Sequence, residues 1–284
     1  MYLTIDLHSH SSASDGSLSP TELVTLAHRL GVRTLALTDH DELNGLAEAA
    51  GAARLVGMEL VSGVEISVSW ERQTIHIVGL GIDPESEALQ QGLVRLRQFR
   101  HWRAEEMGRR LDKQQIGGIY ERAARLAQGR IISRTHFAMA LVERGYAKQV
   151  GEVFRHFLRA GKPGHVAGEW AELSEAVGWI RAAGGVAVVA HPARYSLSRA
   201  KLCRLFEAFI DAGGEAIEVV SGSQSAEDAA RLAPLALKYR LYASAGSDFH
   251  SEDRPWHLLG RLPPLPNTLQ PVWQLLELDS ASAG

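Results

Sequence analysis

The spacing of apolar and polar positions divides the chain into three stretches. Over the first ninety residues, short apolar runs alternate with patterns of helical period. Leu3-Thr4-Ile5-Asp6-Leu7, Thr34–Thr38, Leu60–Ile66 and Ile75–Leu80 read as strands, because short runs rich in Val, Ile and Leu suit buried strands. Ser19-Pro20-Thr21-Glu22 is a capping box with proline at the first helical position. Leu23, Leu26, Ala27 and Leu30 then share one face up to Gly31. A second helix is predicted from about Gly45 to Leu55. From about Leu89 to Arg159 the strand pattern is gone. Leu93, Leu96 and Met107 mark a long helix, followed by helical stretches at Ile119–Ala127, Thr135–Arg144 and Val150–Arg159. The alternation then resumes. A helix at Leu173–Ala183 ends at Gly184-Gly185 and leads into a strand at Val186–Ala190. Two further helix–strand pairs follow, Arg199–Ala212 with Ala216–Val220 and Ala226–Tyr239 with Leu241–Ala245.

Strands alternating with helices predict an α/β fold with a parallel sheet. At least seven strands with an interrupting segment favour a barrel over an open doubly wound sheet. Residues 1–88 and 166–284 would form the barrel, and 89–165 an all-helical insertion. The tail beyond Leu262 is Pro-rich, then rich in Ser, Ala and Gly, and is expected to fray at its end.

Composition narrows the classes. With 45% hydrophobic and 22% charged residues the chain is an ordinary globular protein. No apolar run approaches the ~18 residues of a membrane span, and the first residues lack the basic flank of a signal peptide. The single cysteine, Cys203, excludes an internal disulfide and a cysteine-based zinc site, and a cytoplasmic location is expected. The net charge of −3 conceals an asymmetry: residues 95–165 hold 16 Lys and Arg against 6 Asp and Glu. A basic segment within an acidic body points to an anionic partner held at one place, although a solvated Arg-rich surface reads equally well from charge alone.

The chemistry lies at the strand ends. His8-Ser9-His10 with Asp15, Thr38-Asp39-His40, Glu65, His76, His191-Pro192 and Ser247-Asp248-Phe249-His250 all sit on or directly after strands. In a barrel such ends converge on one face. His8, His10, Asp15, His40, Glu65, His76, His191, Asp248 and His250 should therefore meet in one pocket. Without a cation such a cluster is a costly one to bury. Imidazole and carboxylate are ligands for Zn, Mn and Fe. Residues i and i+2 of a strand share a side, so His8 with His10, and Asp248 with His250, can each hold one ion. Nine ligands exceed one coordination sphere, so two or three ions are implied, with a carboxylate such as Glu65 bridging. His28, His156 and His257 lack this placement and read as surface or helix residues. For His101, His136 and His165, in the basic segment, packing or surface roles are expected.

These motifs, in this order, resemble the PHP (polymerase and histidinol phosphatase) superfamily over about three quarters of the chain. The resemblance implies a distorted seven-stranded, TIM-like β/α barrel and a trinuclear centre of divalent ions, Mn2+ first among Mn2+, Zn2+, Fe2+ and Mg2+. It implies that His8, His10, Glu65 and Asp248 hold one ion, Asp15, His40 and His250 another, and Glu65, His76 and His191 the third. The helical insertion, with Gly129–Ala138 and Lys162-Pro163-Gly164, is similar to a subgroup of 3',5'-nucleoside bisphosphate phosphatases and 5'-to-3' exoribonucleases acting on short RNA.

Clustered divalent ions lower the pKa of a bridging water and neutralise phosphoryl oxygens during in-line displacement. Direct attack by hydroxide is expected, with no covalent phosphoenzyme. Asp39 and a metal-bound water are the two candidates for the leaving-group acid. A second phosphate needs its own clamp, and Arg offers a planar fork for it. The candidates are Arg100, Arg103, Arg134, Lys162 and Arg194, with Trp102 or Phe99 as a stacking surface for a base. The expected substrate is a nucleotide bisphosphate such as adenosine 3',5'-bisphosphate, with short RNA as the alternative. No membrane and no obligate protein partner are expected. Histidinol phosphate is disfavoured, because the basic segment repels its cation. An amidohydrolase is disfavoured because no lysine falls at a strand end. A non-catalytic nucleic-acid-binding or proofreading-type module would lack a ligand or carry an extra domain, and neither is seen.

Overall fold

A computed structural model describes residues 2–129, 131–253 and 259–278. His257, Arg130 and the end of the tail, for which the sequence predicts fraying, lie outside the described residues. Among the described residues eight strands form one sheet: β1 (Ile5–Asp6), β2 (Thr34–Leu37), β3 (Glu59–Trp70), β4 (Gln73–Leu80), β5 (Ala171–Glu172), β6 (Val186–Val189), β7 (Ala216–Ser221) and β8 (Tyr242–Gly246). Seven run in the order β1-β2-β3-β4-β6-β7-β8, and β5 pairs with the far end of β3. The two edges of this path meet beyond β1 and β8. Leu7 N donates to Ala245 O at 3.0 Å, Asp248 N to His8 O at 2.9 Å and His10 N to Phe249 O at 2.9 Å. The result is a nearly closed seven-strand barrel with helices outside.

The barrel is mixed rather than parallel, which corrects the expectation from alternation. β4 is antiparallel to both β3 and β6. β3 and β4 form a hairpin through Glu71 and Arg72, both at positive φ, 42° and 64°. That is the two-residue turn that suits strand twist, and it normally recruits Asn or Gly. Here Glu71 and Arg72 take those positions instead, with Glu71 paired to Arg204, so the usual turn residues are missing from the sequence.

The helices form where their signals lie. α1 (Pro20–Arg29) begins in the Ser19/Glu22 capping box and gives way to Gly31 at φ 87°. α2 (Leu46–Val56) ends at the left-handed Gly57. α3 (Glu87–Asp112), α4 (Ile119–Leu126), α5 (Arg134–Glu143) and α6 (Val150–Val153) follow, then a π-helical turn over Phe154–Leu158. The helix expected over Val150–Arg159 is thus broken. Such π-turns re-aim side chains, and Phe154 faces the central cavity. α7 (Leu173–Ala182), α8 (Arg199–Asp211) and α9 (Ala226–Tyr239) complete the outer layer. None of the described helices is long and apolar enough to cross a membrane.

Three cores hold this together. Leu7, Val61, Val78, Val188, Ala216 and Ala245 fill the barrel, closed below by Trp273. Val64, Ile66, Val68, Ile75 and Ile77 point outward against α1, α2, α7, α8 and the first half of α3, which contributes Leu89, Leu93 and Leu96. The second half of α3 joins α4 and α5 around Met107, Leu111, Phe137 and Leu141. One face of β3 runs from Val61 past Gly63 to Glu65 and Ser67, so the barrel lining turns from apolar to ionisable at one mouth.

Candidate metal centre

That mouth is where the predicted ligands converge. His8 and His10 follow β1, His40 follows β2, Glu65 lies within β3, His191 follows β6, and Asp248 and His250 follow β8. His76 is near the start of β4 rather than its end. Because β4 is antiparallel, its start lies at the same mouth as the ends of its parallel neighbours, opposite Ser67. Gly246 permits the packing: a Cβ there would sit 2.2 Å from His8 Cβ. His191 and Asp248 hold positive φ, 30° and 54°, conformations that non-glycine residues keep only where the surroundings enforce them.

The loop from Ser9 to Asp15 is fixed by Asp39. Its carboxylate accepts from Ser11 N at 2.8 Å, Ser11 Oγ at 2.6 Å and Ser14 Oγ at 2.5 Å. Burial pushes its pKa up, against the opposing pull of His10 and the serine hydroxyls. Asp39 does not line the cavity; it orders the loop and is not placed to protonate a leaving group.

All nine predicted residues come together. Glu65 is at the centre: Oε1 lies 2.8 Å from His76 Nδ1 and 3.0 Å from His191 Nε2. Its Oε2 lies 2.8 Å from His40 Nδ1, 3.3 Å from His10 Nε2 and 3.4 Å from His8 Nε2. Asp248 Oδ1 is 3.3 Å from His10 Nε2, and Asp15 Oδ1 is 3.3 Å from His250 Nε2. Grouped by reach, the sets are His10, Asp15, His40 and His250; His8, Glu65, His191 and Asp248; and His40, Glu65 and His76. This differs from the division that the resemblance implied, since His10 falls with Asp15 and His191 with His8.

The donor set fits divalent cations. Glu65 Oε2 and His40 Nδ1 are close, yet neither has a partner in hydrogen-bonding geometry, and the buried Asp15 Oδ1 also lacks one. Lone pairs facing one another in a closed space are what a shared cation satisfies. Electrostatics agree. Burial alone would raise Asp15, Glu65 and Asp248, but the surrounding imidazoles hold all three well below the usual carboxylate range. Burial alone would lower His10, but Asp248 and Glu65 bring it up to about 9. His40, where burial wins, falls to about 4.

The centre opens into a cavity of about 320 Å3. The cavity is also lined by Arg100, Arg103 and Arg134, together with Trp170 and Phe154. Arg134, the first residue of α5, is exposed within the cavity and lies over the Phe154 ring at 5.8 Å. Arg100 donates from Nε to Asp41 at 2.7 Å and from Nη2 to Ser67 Oγ at 2.8 Å. Arg103 is buried; it spends Nε and Nη2 on the Val166 carbonyl and stacks on Trp170. Burial, with Arg134 and Arg100 nearby, lowers its pKa to about 9. Arg194 lines the metal side, in a short contact with Asp248. Lys162 is exposed at a turn and does not line the cavity. Trp102 is also exposed, and Phe99 packs edge-on against Trp170 at 4.9 Å, so the aromatic surfaces at the cavity are Trp170 and Phe154. Of the other histidines, His28, His101 and His156 are exposed, and His136 is buried as the third residue of the α5 capping box.

Five residues given a part at the site were not singled out in the sequence: Glu218, Asp41, Tyr195, Trp170 and Phe154. Glu218 is the one signalled clearly, as a lone carboxylate within the fully buried strand Ala216–Ser221. Tyr195 takes the His76 N–H on its hydroxyl at 2.9 Å and donates to Ala190 O at 2.8 Å, a role only the folded chain reveals.

Comparison with known proteins follows this geometry. The PHP domain family profile matches residues 6–219. The chain is 49% identical to a 3',5'-nucleoside bisphosphate phosphatase of Chromobacterium violaceum, over 96% of each chain. It is 44% identical to a 5'-3' exoribonuclease of Escherichia coli, over 96% of this chain and 93% of that one. A solved Chromobacterium violaceum structure, described as an amidohydrolase with bound sulfate and no metal, superposes with a TM-score of 0.93 at 49% identity, covering 96% of both chains.

Proposed function

Because the chain belongs to the PHP domain family, we propose that it is a metal-dependent phosphoesterase that takes the 3'-phosphate from nucleoside 3',5'-bisphosphates, such as adenosine 3',5'-bisphosphate, and leaves the 5'-monophosphate. The observation that carries this is one cavity lined both by carboxylates and imidazoles of the ligand groups and by the guanidiniums of Arg100, Arg103, Arg134 and Arg194. The name of the Chromobacterium violaceum relative supports the same reading, and that of the Escherichia coli relative supports the second reading below.

The three groups of ligands fit three ions, with Mn2+ our first choice, then Zn2+, Fe2+ or Mg2+. His8, Glu65, His191 and Asp248 would hold one, His10, Asp15, His40 and His250 another, and His40, Glu65 and His76 a third. When bound, such ions supply Lewis acidity toward phosphoryl oxygens and a lowered pKa for water. The remaining work is done by the chain. Arg134 and Arg100 grip the 5'-phosphate and set the distance to the 3'-phosphate. The α5 N-terminus adds its partial positive charge on the same side. Arg194, beside Asp248, is placed to pair with an oxygen of the phosphate being cleaved. Trp170 and Phe154 offer apolar surface to ribose and base. Residues 89–165 thus act as the unit that reads the second phosphate, mounted on a body formed by 1–88 and 166–284. The lone cysteine fits the reducing cytoplasm, where we place the protein.

Short RNA is the second reading. Its terminal 5'-phosphate would take the arginine wall and the adjoining diester the metal side. The exposed Arg155, Arg159 and Lys162, just past Phe154, favour it as a path for further phosphates. Histidinol phosphate does not suit a wall of guanidiniums. None of the lysines lines the cavity, which disfavours a lysine-bridged amidohydrolase centre. The test is phosphate release by Mn2+-loaded protein from adenosine 3',5'-bisphosphate, compared with adenosine 3'-monophosphate and 5'-monophosphate. Faster release from the bisphosphate, with the 5'-monophosphate as product, is expected; equal rates on all three overturn the two-phosphate reading.

A further inference from the structure

Glu218 is placed to govern the metal centre without belonging to it. It sits in β7, where the pairing with β8 shifts register between Glu218 and Val220. Such a bulge re-aims a side chain, and this one points the carboxylate inward, 1% exposed. Both oxygens are used. Oε1 lies 2.6 Å from His8 Nδ1, and Oε2 accepts the backbone N–H of His191 at 2.6 Å. One carboxylate therefore joins two of the four residues in a single ligand group.

The two bonds do different work. An imidazole that donates from Nδ1 to a carboxylate leaves Nε2 bare, and Nε2 is the His8 atom that faces Glu65, Asp248 and His10. His191 is held at φ 30° immediately before Pro192, where the following ring pushes a residue toward extended backbone. Its N–H is anchored only by Glu218 among the bonds that define this turn. Its Nε2 reaches Glu65 at 3.0 Å.

We propose that Glu218 is a positioning residue that sets the His8 tautomer and the His191 turn together, so that both imidazoles present Nε2 to the same cation. This rests on the metal-centre reading above. Glu218→Gln keeps an acceptor for His191 N–H but can donate to His8 Nδ1, which moves the His8 proton to Nε2. Removing such outer partners typically lowers metal affinity by about 10- to 100-fold.

The experiment is equilibrium binding of Mn2+ to the full chain and to Glu218→Gln, with thermal melting of both metal-free proteins. Nitrogen-15 imidazole spectra of the Zn2+-loaded wild type run alongside. The expected results are a loss of affinity in that range, whatever the change in metal-free melting, and a proton on Nδ1 of His8 with Nε2 bare. A merely structural role would lower the melting temperature and leave affinity unchanged. Wild-type affinity in the variant, or a proton on Nε2 in the wild-type spectrum, overturns the proposal. The wild-type spectrum decides the matter if the variant does not fold. Absence of Mn2+ binding in the wild type overturns the metal-centre reading itself, and this inference with it.

Discussion

Replacing Arg134 by alanine separates substrate recognition from chemistry. Its guanidinium lines the cavity and lies over Phe154, with other guanidiniums nearby. Burial and then Arg100 lower its pKa, with Asp15 opposing, so the free protein gains little from the charge. Truncation loses a partly exposed cation–π contact of about 0.5–1 kcal/mol and relieves repulsion of similar size. Melting should therefore move by no more than about 2–4 °C, the shift that ~1 kcal/mol gives in a chain of this size. In the complex the account differs. A charge-assisted bond to a phosphate is worth about 1.5–3 kcal/mol. At ~1.4 kcal/mol per decade, kcat/KM for adenosine 3',5'-bisphosphate should fall about 10- to 150-fold. Hydrolysis of p-nitrophenyl phosphate, which has no second phosphate, should be nearly unchanged. Steady-state kinetics on both substrates, with Arg134→Lys as a partial rescue, measures this. Equal losses on the two substrates would refute a selective clamp.

Further outcomes follow from the same geometry. Glu65→Gln removes a charge within 3.5 Å of five imidazoles; bound metal and turnover should fall together, and full metal retention at normal rate contradicts a bridging role. Asp41→Ala leaves Arg100 unpaired, and breaking a buried pair typically costs about 3–5 kcal/mol; denaturant unfolding should show a loss of that order along with a higher KM for the bisphosphate. Gly246→Ala forces a Cβ onto His8 and should cost about 1–3 kcal/mol or more, read as a lower melting temperature with reduced Mn2+ content. In chelator-treated protein, His10 is raised to about 9 from an unfolded value near 6.5. Its contribution is complete below about pH 6.5 and lost as pH rises toward 9, so metal-free melting should decline across that window. Mn2+ should remove the decline, and a flat metal-free profile counts against it.

The order of elements was legible because α1 and α9 begin in capping boxes, α2 stops at the left-handed Gly57 and β6 is a continuous apolar run. The direction of β4 was not, because Glu71-Arg72 makes a hairpin turn without Asn or Gly. The nine ionisable residues could be read from their positions at strand ends. His76 was found for a partly mistaken reason, since its strand is reversed and its start, not its end, faces the mouth. The division of ligands into groups depends on ring orientations that no spacing encodes. The fates of the arginines depend on partners far along the chain: Asp41 for Arg100 and the Val166 carbonyl for Arg103. Lys162, plausible from its basic surroundings, stands outside the cavity because the turn at 159–165 points it to solvent.

The central claim is that side chains from both ends of the chain assemble a multinuclear cation site. Elemental analysis of protein reconstituted with Mn2+ and exhaustively desalted tests it most directly. Two to three ions per chain, reduced in Glu65→Gln, is the predicted result; less than one ion per chain under saturating Mn2+ contradicts it.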